Sequence, residues 1–134
     1  LAALELYPNY APAHNNLGLA LQGLQRNDEA VTEFHRAIEL EPALSPARLN
    51  LAEHLIAQDD FDGAEREYNQ AIKATPDLGD AHYNYAVLLA MRQRIPEAVR
   101  ECETACALNP DDTQCQLLLR KLTEAAQRES NGRN

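Results

Sequence analysis

The sequence predicts an all-α solenoid of antiparallel helix pairs, and three recurrences predict it. The stretch Ala13-His14-Asn15-Asn16-Leu17-Gly18 returns as Ala47-Arg48-Leu49-Asn50-Leu51-Ala52 and as Ala81-His82-Tyr83-Asn84-Tyr85-Ala86, each copy 34 residues after the last. Pro8, Pro42, Pro76 and Pro110 share that spacing. Between consecutive prolines the apolar residues recur at helical intervals in two separate blocks. A fixed period of this size marks a repeat array, in which each unit buries its apolar face only by stacking on a neighbour.

The elements follow in order. Residues 1–10 read as the end of a preceding, truncated repeat, because Ala3-Leu4-Glu5-Leu6 matches Ala37-Ile38-Glu39-Leu40, Ala71-Ile72-Lys73-Ala74 and Ala105-Cys106-Ala107-Leu108. The chain therefore reads as a fragment of a longer array. So short a helical piece does not hold itself in water; it must dock on the next helix or on another molecule. Exposed Leu1, Leu4 and Leu6 would then offer a route to a homo-oligomer.

Three full repeats are expected over 11–44, 45–78 and 79–112. First helices are expected near 12–25, 46–58 and 80–92, and second helices near 28–40, 62–74 and 96–108. Each proline stops the helix before it, since it has no N–H to donate and restrains the residue before it. Ser45-Pro46 reads as an N-cap followed by proline at the first helical position. Asp62 and Glu65 have the spacing of a capping box. A capping helix is expected over 113–129, where Arg120 replaces the small residue a following helix would need. A polar tail, 130–134, reads as disordered.

On a helical wheel, taking Ala11, Ser45 and Gly79 as position 1, positions 4, 7, 8 and 11 share a face. They are His14, Leu17, Gly18 and Leu21, with Arg48, Leu51, Ala52 and Leu55, and with His82, Tyr85, Ala86 and Leu89. This stripe is expected to pack on the second helix of its own repeat. There Ala30, Ala64 and Ala98 (position 20), Phe34, Tyr68 and Cys102 (position 24) and Ala37, Ala71 and Ala105 (position 27) supply the complement. Position 3, filled by Ala13, Ala47, Ala81 and Cys115, is expected against the preceding repeat.

These residues resemble the tetratricopeptide-repeat family, whose unit is a 34-residue helix–turn–helix. The match holds at positions 7, 8, 20, 27 and 32 in all three copies. It departs at position 4 (His14, Arg48, His82) and at position 11, where leucines stand. The resemblance implies a right-handed solenoid whose first helices line a concave groove. Positions 5, 6 and 9 on that groove are Asn15, Asn16 and Leu19, then Leu49, Asn50 and Glu53, then Tyr83, Asn84 and Val87. Asn16, Asn50 and Asn84 stand in register, one per repeat.

An asparagine amide offers two donors and an acceptor on a short neutral stem. Such a row suits the C=O and N–H groups of an extended peptide, whatever its side chains. It resembles the asparagine ladder in the tetratricopeptide arrays of O-linked N-acetylglucosamine transferases. The expectation is a non-enzymatic interaction scaffold holding a peptide or partner helix. The alternatives are a substrate-recruiting arm of a larger enzyme, such as a glycosyltransferase, and a self-assembling module. The plainer role for the asparagines is hydrogen bonding between neighbouring helices. A carboxylate clamp of the co-chaperone kind is disfavoured, because the groove positions carry no Lys or Arg and include Glu53.

Composition excludes other classes. The net charge of −9 opposes nucleic-acid or anionic-membrane binding, which needs a basic footprint. No apolar run approaches the ~20 residues of a membrane span. No nucleophile–base pair, phosphate loop or carboxylate cleft is present, so neither catalytic residues nor a cofactor is expected. Cys102, Cys106 and Cys115 read as free packing thiols, better suited to a reducing cytosol than to a disulfide framework, and no metal site is assigned. The four histidines form no ligand spacing, and the glutamates of the second helices, Glu33, Glu67 and Glu101 among them, read as a solvated convex face.

Overall fold

The structure, a computed structural model, describes residues 8–132. The expected truncated helix over residues 1–7 and the last two residues of the tail lie outside them. The described residues form seven α-helices and no strand. They fall in two compact units, the first ending at Pro76 and the second beginning at Asp77.

The first unit holds α1 (Ala11–Gly23), α2 (Asn27–Leu40), α3 (Ser45–Ala57) and α4 (Phe61–Ala74). Helices α1 and α2 pack as one pair, α3 and α4 as another, and α2 contacts α3 between them. Leu21, Ala30, Phe34 and Leu51 form one core, with Leu17, Val31, Ile38 and Leu55 packed on it. Gly18 is what lets α1 and α2 close up: a Cβ there would lie 2.5 Å from Cε1 of Phe34. Ala11, Ala37 and Ala47 form a second core, which seats α3 on the preceding pair as the small residue at position 3 predicts.

The second unit holds α5 (Gly79–Met91), α6 (Ile95–Leu108) and α7 (Thr113–Gly132). Here α6 packs on both α5 and α7. Ala86, Ala98, Cys102 and Ala105 are buried, but α7 buries only Cys115 and Leu122. Helix α7 continues through Gly132, three residues past the expected end at 129.

The helix starts differ from the expected ones in their chemistry. Ser45 is not a cap; it is the first residue of α3, after Leu44. Its buried hydroxyl donates instead to the Ala71 carbonyl at 3.2 Å and lies 2.8 Å from Thr75 Oγ1. It thereby gives the Ala71 carbonyl, which already accepts from the Thr75 N–H at 2.9 Å, a second donor at the end of α4. The cap of α4 is Asp60 rather than Asp62, and its Oδ1 accepts from the Gly63 N–H at 2.9 Å.

The turn inside each helix pair repeats a backbone device. Gln25, Asp59 and Gln93 have φ of 62°, 60° and 62°. The next N–H in each case, of Arg26, Asp60 and Arg94, donates back to the carbonyl of Leu21, Leu55 and Leu89 at 2.9, 2.8 and 2.9 Å. This is the left-handed closure that usually recruits glycine, and here it carries side chains.

Candidate functional site

The expected groove residues sit on the first helices α1, α3 and α5, and the structure differentiates them. Asn16, Leu19 and Glu53 are exposed; Leu49, Asn50, Tyr83, Asn84 and Val87 are half-buried. Asn15 is buried. In the first unit Asn50 Nδ2 donates to Asn15 Oδ1 at 2.9 Å, joining α3 to α1. That bond is the plainer helix-to-helix role, realised at one member of the row. It leaves Asn50 one further N–H and its own carbonyl oxygen.

Asn16 borders an open cavity of about 730 Å³ on α1 and α2, lined by Tyr10, Ala13, Leu17, Leu24 and Glu33 among others. In the second unit Tyr83 stands beside Asn84. Burial raises its hydroxyl above the usual tyrosine range, and the negative charge of Asp112 adds to the shift. Tyr83 therefore stays a neutral hydrogen-bond donor on that face.

Position 4 holds a device the sequence reading missed. Arg48 Nη1 donates to Glu67 Oε2 at 2.8 Å, and its Nε donates to the Pro42 carbonyl at 2.9 Å. His14 repeats the pattern, with Nδ1 2.6 Å from Glu33 Oε2 and Nε2 2.7 Å from the Pro8 carbonyl. His82 Nδ1 lies 2.7 Å from Glu101 Oε2. In the capping helix Gln116, at the same position, donates to the Pro110 carbonyl.

One expectation is corrected here: Glu33, Glu67 and Glu101 are pinned between helices by His14, Arg48 and His82 rather than spread on a solvated face. The signal was available: those glutamates recur 34 residues apart, each 19 residues after His14, Arg48 or His82. At position 4, where the sequence departs from the pattern it resembles, this chain holds the helix pair together with a polar bracket.

The three cysteines meet in the second unit. Their sulfurs all lie within 4.8 Å of one another. Cys106 Sγ is 2.7 Å from Cys115 Sγ. Cys102 Sγ donates to the Cys115 carbonyl at 3.6 Å, and Cys115 Sγ to the Cys102 carbonyl at 3.8 Å. Burial pushes the Cys102 thiol up to about 11 and raises that of Cys115 as well. The packing role expected of Cys102 and Cys115 is visible in their burial, whereas Cys106 is partly exposed. Among the described residues no helix is long and apolar enough to cross a membrane.

The first tetratricopeptide domain of Spaghetti (RPAP3), bound to the HSP90 peptide SRMEEVD, superposes with a TM-score of 0.80 at 21% identity, covering 87% of this chain and 92% of that one. The first such domain of human RPAP3 gives 0.81 at 21% identity, covering 92% and 98%. The domain of OM64 from Arabidopsis gives 0.78 at 19% identity, covering 86% and 95%. At these identities the likeness is one of fold. In sequence, no curated protein matches the chain. The family model for the tetratricopeptide repeat matches residues 15–77 and, overlapping them, 49–113. With most of its length matched and its helix pairs packed as that unit requires, the chain belongs to the tetratricopeptide-repeat family.

Proposed function

We propose that this protein is a non-enzymatic interaction module that holds extended peptide on its first helices, α1 and α3 in the first unit and α5 in the second. The observation that carries the reading is the placement of Asn16, Asn50 and Asn84. Each lies at position 6 of its repeat, and each keeps part of its surface open. Their amides serve the peptide backbone, while Leu19, Leu49, Tyr83 and Val87 give apolar contact to its side chains. Tyr is well suited to that anchoring role. The limited likeness to the asparagine ladder of glycosyltransferase arrays belongs to the same proposal. The bond from Asn50 to Asn15 refines it: Asn50 is both a strut and a ligand, and Asn16 and Asn84 carry more of the recognition.

The peptide this face suits is not an acid-terminated one. The similar RPAP3 domain was seen with such a peptide, but here the groove positions carry no cation and Arg48 is spent on Glu67. A carboxylate placed on α3 would also meet exposed Glu53. The test is a peptide array probed with wild type and with an Asn16→Ala/Asn84→Ala variant. Wild type should favour neutral or basic extended peptides over ones ending in Glu-Glu-Val-Asp, and the variant should lose binding while its circular dichroism and Tm stay unchanged. A preference for the acidic peptide would sink the reading.

A second reading rests on the cavity on α1 and α2. That face would take a further helix, from a longer chain or from a second copy. A molecular mass that stays monomeric across a wide concentration range would rule out the second copy.

A further inference from the structure

We propose that Cys106 and Cys115 form an oxidative modification site, closing to a reversible disulfide by exchange with a low-molecular-weight disulfide. The two sulfurs are already 2.7 Å apart, one on α6 and the other in the first turn of α7. A disulfide needs about 2.05 Å, so the step asks for a movement well under one ångström.

The three thiols have unequal access. Cys102 and Cys115 are buried, whereas Cys106 is partly exposed and meets the oxidant first. Its thiolate attacks one sulfur of the small disulfide, forming a mixed disulfide and releasing one small thiolate. The Cys115 sulfur, in contact behind it, then loses its proton and attacks Cys106 Sγ, releasing the second. Two protein thiols are oxidised, one small disulfide is reduced to two thiols, and no charge is left in the site.

A shared metal fits the same sulfurs less well. Three thiolates around one zinc, at about 2.3 Å each, stand roughly 4 Å apart. The Cys106–Cys115 pair would have to open by more than an ångström. Among the described residues no fourth His, Cys, Asp or Glu joins the group. Burial also opposes holding several thiolates there, as the raised Cys102 thiol shows.

The bridge has a mechanical consequence. Helix α7 buries only Cys115 and Leu122 in 20 residues. A covalent link in its first turn adds to the contacts between Cys102 and Cys115 that already join it to α6.

The protein is incubated with oxidised glutathione, without and with equimolar zinc, and mapped by mass spectrometry after non-reducing proteolysis. The expected product is a Cys106–Cys115 linked peptide, about 2 Da lighter than the sum of the reduced pair. It should persist in Cys102→Ser, and its Tm should exceed that of the reduced protein by about 5 °C. In Cys115→Ser the exchange should stop at glutathione on Cys106. The wild-type map decides the matter even if that variant does not fold. A link through Cys102, no link at all, or a zinc-bound trithiolate that resists oxidation would overturn the proposal.

Discussion

Gly18 has no room for a methyl group. A Cβ would meet Phe34, fully buried on the facing helix, well inside contact distance. The equivalent residues Ala52 and Ala86 do carry that methyl, and both are fully buried. We expect Gly18→Ala to destabilise the protein by about 1–3 kcal/mol, the range for overpacking a core, despite alanine's better helix propensity. Denaturant unfolding measures this, and a neutral or stabilising result would mean that Phe34 swings clear. Tyr68 carries a pH signature. Burial, with Glu53 nearby, raises its hydroxyl from 10.0 to about 12. The folded state therefore keeps a proton that the unfolded chain releases. This contribution is fully present below pH 10 and is lost as pH rises towards 12, at about 1.4 kcal/mol per pH unit in between. Urea unfolding at pH 9 and pH 11 should show a steeper fall for wild type than for Tyr68→Phe.

At the scale of the element, the turn within each pair is the least optimised feature. A left-handed residue other than glycine costs about 1–2 kcal/mol, and three stand in series at Gln25, Asp59 and Gln93. Gln25→Gly and Gln93→Gly should each raise stability by about 0.5–1 kcal/mol in chemical denaturation, with less gain at Asp59, since aspartate tolerates this region better. The polar bracket at position 4 makes the opposite kind of prediction. Arg48 and Glu67 are both largely shielded, with side-chain exposures of 13% and 19%. Removing Arg48 leaves the glutamate half-buried and unpaired, which we expect to cost about 1–3 kcal/mol. In a double-mutant cycle Arg48→Ala/Glu67→Ala should cost less than the sum of the two single changes; strict additivity would show that the pair does not couple.

The helices were legible because their signals are local and repeat: prolines at the ends, small residues at positions 3 and 8, apolar ones at 7. What escaped depended on partners far along the chain. The left-handed turns carry no glycine to announce them. Ser45 looked like a cap because serine before proline usually is one, yet its hydroxyl is used by a carbonyl from the next helix. Asn15 was placed on the open face by the wheel. A wheel knows one helix, and α3 covers that edge of α1. Glu33, Glu67 and Glu101 looked solvated one by one, although their common offset from position 4 was there to be read.

At the scale of the whole molecule, packing accounts for most of the recurring positions. Position 7 supplies core, position 8 sets helix approach, position 3 seats α3 on the pair before it, and position 4 brackets the pair. Position 6 is left partly open in every repeat, although Asn50 also joins α3 to α1. The proposed function therefore rests on Asn16 and Asn84 more than on the row as a whole. The direct test is the affinity of an array-selected peptide for wild type and for Asn16→Ala/Asn84→Ala, with Tm measured on both. Two lost amide contacts at about 1 kcal/mol each predict a drop of roughly 30-fold, with Tm unchanged. Full-strength binding by the folded variant would contradict the account.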